Sequence, residues 1–132
     1  MRIVKPGLIA ALMAAQLGVV QPAFAGDDRW VKVSSSDDGA SEHWVDSTSI
    51  NRKDEVVSYI ERAKINDDES GWDTVVASSQ INCDTSQIHP VQLKITFTNG
   101  KTETVDNPDP EDWSEIKPGS VGSDIRDFVC KE

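Results

Sequence analysis

Cysteine occurs twice in these 132 residues, histidine twice and tyrosine once, and each scarcity removes a class of chemistry. Cys83 and Cys130 have neither C-x-x-C spacing nor flanking histidines, which argues against a redox pair or a zinc site. His43 and His89 stand far apart with no neighbouring ligand at metal spacing, so both are expected on the surface. No G-x-S-x-G, Cys/His pair or phosphate loop occurs, so no catalytic residue and no cofactor is expected. Bases are also few. Against 23 acids there are 13 lysines and arginines, a net charge of −10. Such a surface repels a phosphate backbone and anionic headgroups, which excludes nucleic acid and a charged membrane surface as partners. Solubility alone accounts for the acidity, and basic proteins or cations are the partners it favours.

Long apolar runs are confined to the first residues, "MRIVKPGLIAALMAAQLGVVQPAFAG". Arg2 and Lys5 give a positive start, Leu8 to Val20 carry no charge, and Ala23-Phe24-Ala25 place small residues where a signal peptidase reads. Gln16 and Gln21 interrupt the run before it reaches the length of a membrane span. Residues 1–25 are therefore expected to be a signal peptide, cut between Ala25 and Gly26, and no cysteine follows the cut to carry a lipid. Residues 26–132 form one domain of 107 residues. Losing Arg2 and Lys5 with the leader takes the net charge from −10 to −12. A periplasmic or secreted protein is predicted. Outside the cytosol an even cysteine count reads as one disulfide, Cys83 to Cys130.

Alternation of apolar and polar residues dominates from Trp30 to Val105. In "VQLKITF" Val91, Leu93, Ile95 and Phe97 share one face, a half-buried strand. Asn99-Gly100 then signals a hairpin, and a type I turn with a glycine bulge brings Val105 to the apolar side. "EVVSYIERAKI" is β-branched and aromatic enough for a strand, although Val56, Val57, Ile60 and Ala63 also suit a helix face. "WDTVVASSQINC" puts Val75, Ala77, Ile81 and Cys83 on one side. Shorter strands are expected at "RWVKV" and "EHWVD". The stretch "DNPDPEDWSEIKPGS" has too much proline for a sheet or helix interior. After it, Ser120 caps a helix of roughly ten residues whose stripe is Val121, Ile125, Phe128 and Val129. A helix that short is marginal alone and must dock on the sheet, where Cys130 can pin it.

Two further groups invite functional readings. Trp30, Trp44, Trp72 and Trp113 suit an aromatic platform for sugars or peptides, but core or rim packing is the stronger expectation in a chain with few Leu and Phe residues. Asp67-Asp68-Glu69 and Asp106, Asp109, Glu111 and Asp112 lack the spacing of an EF-hand loop, so solvated acidic loops are expected and no metal.

The order "RWVKV", "HWVDSTSI", "SSQINCD", "TNGK" and "DWSEIKPGSVGSDIRDFVC" resembles the surface-adhesin protein E family of proteobacteria, over essentially the whole mature chain. The resemblance implies a twisted antiparallel sheet of five to six strands, an α+β fold with one C-terminal helix tied to one face by Cys83–Cys130. It also implies a tendency to form a homodimer, and adhesion to host matrix proteins without catalysis. Two other functions are weighed from the residues: an acidic periplasmic inhibitor of a basic enzyme such as lysozyme, and a small carboxylate hydrolase.

Overall fold

The computed structural model describes residues 29–131; the leader and its cleavage residues Ala23, Ala25 and Gly26 lie outside them. Strands β1 (Trp30–Ser35) and β2 (Ser41–Asp46) lead through a 3-10 turn, Ser47–Ser49, to β3 (Asn51–Lys53). The long strands β4 (Val56–Ile65), β5 (Trp72–Asn82) and β6 (Gln87–Phe97) follow, then β7 (Thr102–Asp106), β8 (Ser114–Glu115) and helix α1 (Val121–Val129). All pairings are antiparallel, in the order β1-β2-β4-β5-β6-β7, with β3 also on β4 and β8 also on β6.

Six positions across the sheet match the expected five to six strands, and the count reaches eight because two positions are shared by two strands each. Asp46 caps the 3-10 turn, which splits β2 from β3 along one edge of β4. The proline-rich loop splits β7 from β8 along one edge of β6. The loop stays out of the sheet interior as expected, and its two-residue β8 only adds to one edge of β6, where Ile116 N donates to Ser86 O and Ser114 lies alongside Ile88.

Period-two alternation sorts the side chains onto two faces. One cross-strand row reads Val31, Val45, Glu61, Ala77, Leu93 and Val105; its neighbour on the other face reads Lys32, Trp44, Arg62, Val76, Lys94 and Thr104. On the first face Val45, Val57, Tyr59 and Ile81 are buried together with Ile116, Ile125 and Val129. This is where α1 docks. A smaller cluster, Ala63, Val75 and Ile95, continues the same face with Leu93 and Phe97 against it. The strand reading of "EVVSYIERAKI" holds, with Val57, Tyr59 and Ala63 as its inward set. The Tyr59 hydroxyl is buried and makes no hydrogen bond among the described residues. Burial pushes its pKa upward, and the Glu61 carboxylate adds to the shift.

The hairpin after β6 is the bulged form: Gly100 N donates to Phe97 O and Phe97 N to Lys101 O, with Gly100 at φ +88°. Leu93 therefore pairs with Val105, although Val105, on an edge strand, stays 43% exposed. Val91 departs from the expected inward set. The ladder slips between Ser78 and Ser79, opposite Pro90 and Gln92, because Pro90 has no N–H to give it, and Val91 is left 39% exposed.

Helix α1 begins as expected, with the Ser120 side chain accepting from Ser123 N. Ile125 and Val129 are buried, and Val121 and Phe128 pack beside them. Asp124 accepts from Ser34 Oγ at 2.7 Å, and Arg126 Nη1 donates to Ser86 Oγ at 2.5 Å. The Cys83–Cys130 bond joins the end of the helix to the end of β5, with its Cα atoms 5.8 Å apart.

Replacing Ile125 by Ala should therefore cost about 3 kcal/mol, since a fully buried side chain leaves a cavity. Val105→Ala, on the exposed edge, should cost under about 0.5 kcal/mol. Urea midpoints of the two variants check this difference.

Candidate functional site

The face opposite α1 carries the most organised set of exposed side chains. Trp30 from β1, Trp44 from β2 and Arg62 from β4 meet there because the polar positions of three neighbouring strands are in register. The Arg62 guanidinium lies 4.7 Å from the Trp30 ring centroid and 5.3 Å from that of Trp44. Arg29 sits 5.6 Å from Trp30 and Lys32 5.8 Å from Trp44. Cations and indoles thus alternate in the order Arg29, Trp30, Arg62, Trp44, Lys32. Each such contact is worth about 0.5–1 kcal/mol where water has access. Together they favour this arrangement of both indoles and the guanidinium over others.

The outer cations also have carboxylate partners. Lys32 Nζ lies 2.9 Å from Glu42 Oε1, and this bond, with one from Asn66, holds the Glu42 carboxyl below the usual range. Arg29 Nε lies 3.4 Å from Asp46 Oδ2. Asp46 accepts from Thr48 Oγ1 at 2.6 Å and from Thr48 N at 2.9 Å. The Thr48 hydroxyl is the main reason its pKa is lowered, in spite of burial; the Thr48 amide and Arg29 add to the lowering. Lys64 pairs with Asp73. Among the described residues Arg62 has no ion pair and no hydrogen bond.

Of the expected core or rim packing the tryptophans show the rim, and none of them is in the buried core. Trp30 and Trp44 are half-buried on the open face, Trp72 is 36% exposed, and Trp113 lies on a loop. The histidines are not free on the surface either. His89 is buried, its Nδ1–H donates to Asp112 O at 2.8 Å, and its ring stacks on Trp113 with centroids 5.2 Å apart. It fastens the proline-rich loop to β6. His43 lies on the helix side of the sheet with Nδ1 2.5 Å from Glu61 Oε2 and Nε2 2.8 Å from Ser41 Oγ. A serine, an imidazole and a carboxylate in line have the order of a hydrolase triad. Ser41 N, however, donates to Ser36 Oγ at 3.0 Å, so the amide that would meet an oxyanion at that serine is already committed. These three groups satisfy one another in a half-buried place.

The acids are used locally. Asp109 Oδ1 accepts from Glu111 N, Asp106 Oδ1 from Gln92 Nε2, and Asp112 Oδ2 from Asn107 Nδ2. No group of three metal-ligating side chains occurs among the described residues. The sequence reading missed Arg62 altogether. Its signal was available: Trp44 and Arg62 both occupy polar positions of alternating strands, where an indole has no core to fill.

The family model for surface-adhesin protein E matches residues 30–131. The chain belongs to that family. Two crystal structures of Haemophilus influenzae protein E share the fold. Crystal form II superposes with a TM-score of 0.52 at 12% identity, covering 75% of this chain and 86% of the other. The selenomethionine form gives 0.53 at 11% identity, with 77% and 85% covered. No curated protein sequence matches this chain. At such identities the likeness to protein E is one of fold, and no contact residue carries over. Among the described residues no helix is long and apolar enough to cross a membrane.

Asp46 gives this face a pH dependence. A carboxyl whose folded pKa is depressed adds stability above its unfolded pKa and loses it as pH falls through the lower folded value. Asp46→Ala should cost about 1 kcal/mol at neutral pH, as for a lost cap. The gap to the parent protein should narrow as pH falls from about 4 to 2. Urea midpoints at both ends of that range test it, and an unchanged gap would contradict the assignment.

Proposed function

We propose that this member of the adhesin E family is an exported, non-catalytic binding module that holds a protein partner of the host-matrix kind on its open face. The observation that carries this reading is the asymmetry of the sheet. On one face α1 covers the Val45, Val57, Tyr59 and Ile81 cluster, while the other presents two indoles packed about a guanidinium. Tryptophan and arginine dominate binding energy at protein interfaces, and prior immobilisation lowers the entropy lost on docking. Net charge favoured a basic partner, but this face offers cations, so the partner on it brings carboxylates.

Export is part of the same proposal. The leader through Ala25, with Ala23 and Ala25 at the cleavage positions and Gly26 as the new N-terminus, delivers the chain where its disulfide can form. The periplasm, cell surface or medium then becomes its place of action.

The test is binding of the exported protein to a panel of immobilised extracellular-matrix proteins. Trp44→Ala and Arg62→Ala should each weaken capture at least about tenfold, or 1.4 kcal/mol, with unchanged circular dichroism. Full binding by both folded variants, or no binding by the parent protein, would count against this face.

A further inference from the structure

Arg62 carries a charge that the described protein holds in place without pairing. Its guanidinium is half-buried between Trp30 and Trp44. Arg29, Lys32 and Lys64 nearby each have a carboxylate, whereas the described residues give Arg62 neither a carboxylate nor a hydrogen-bond acceptor. A planar fork of N–H donors, flanked by two rings and partly shielded from water, matches the two oxygens of a carboxylate.

Beside it the open face sinks into a shallow depression of about 360 Å³, lined among others by Asn51, Ser58, Ile60, Ser78 and Gln80. This is the size range of small-ligand sites. Ile60 is two residues from Arg62 on the same face, roughly 7 Å along the strand, and pairs with Ser78. Its lining is mostly hydroxyl and amide, with Tyr59, Ile60 and Val91 as the apolar part. The Asn51 amide and the Ser78 hydroxyl have no hydrogen-bond partner among the described residues.

We infer that Arg62 and this depression form a site for a carboxylated sugar. The acid group sits on the guanidinium, the ring hydroxyls meet Asn51, Ser78 and Gln80, and the apolar side of the ring lies on Ile60. An acidic peptide is disfavoured because β4 and β5 are paired on both edges, so no free strand edge lies here for its backbone to join. The inference rests on the open face being the binding face and names the chemistry recognised there.

The same sugar chemistry comes from terminal sialic acids or from uronic acids in a chain. The experiment titrates the isotope-labelled, disulfide-intact protein with sialyllactose, a hyaluronan tetrasaccharide, neutral lactose and a glutamate-rich peptide, reading amide and indole N–H shifts. One acidic sugar should shift the Trp30 and Trp44 indole signals and the Ser78 amide to saturation, and lactose should shift none. Arg62→Lys should weaken binding at least about tenfold, since the bidentate fork is lost. Ser78→Ala, which leaves the Trp–Arg stack untouched, should weaken it severalfold. Equal shifts by lactose, silence of both acidic sugars, or response to the peptide alone would overturn the assignment. Matrix proteins that still bind the open face after enzymatic deglycosylation, with both sugars silent, would remove the sugar site and leave the binding module standing. Open-face variants that bind matrix fully would remove the module itself.

Discussion

Burial of Ile125 and Val129 against Val45, Val57, Tyr59 and Ile81 is the contact on which the other features of this domain depend. A nine-residue helix does not persist in water by its own hydrogen bonds, and a sheet with one bare apolar face does not stay monodisperse. Each element supplies what the other needs. The disulfide converts this mutual dependence into a covalent constraint. Its partners are 47 residues apart, and closing a loop of that length removes about 4 kcal/mol of freedom from the unfolded chain in the chain-entropy account. That is comparable with the whole net stability of a small domain. Polar ties, Ser34 to Asp124 and Arg126 to Ser86, fix the angle at which the helix lies.

Closing one face also decides what the other can be. With apolar side chains committed beneath α1, the alternate positions are free to carry polar and aromatic groups, and the register of β1, β2 and β4 brings Trp30, Trp44 and Arg62 together. Arg62 is left as a cation between two rings with donors to spare on a protein whose total charge is strongly negative. Net charge describes the behaviour of the molecule at a distance, whereas one local cation determines what a contacting group must bring.

Much of the architecture was legible because it rests on periodicity. The alternation in β5 and β6 placed Val75, Ile81 and Ile95 inward, the Asn99-Gly100 bulge brought Val105 to the apolar side, and Ser120 marked the start of α1. Val91 was misplaced because a bulge shifts the parity of every residue beyond it, and Pro90 gave only a hint of where. Ile116 enters the core from a proline-rich loop, where no periodicity exists to reveal it. His89 was assigned to the surface since its burial depends on Trp113 folding back from 24 residues away. The Trp–Arg–Trp stack was hidden for a related reason: its members lie on three strands, and only the register joins them.

Amide hydrogen exchange of the purified domain before and after selective reduction of Cys83–Cys130 measures the central dependence most directly. The account predicts that reduction removes protection from Ile125 to Val129 and weakens it at Val57 and Ile81, with the more distant strand segments at Val75 and Ile95 less affected. Helix amides that keep full protection after reduction would show that the staple does not hold α1 on the sheet.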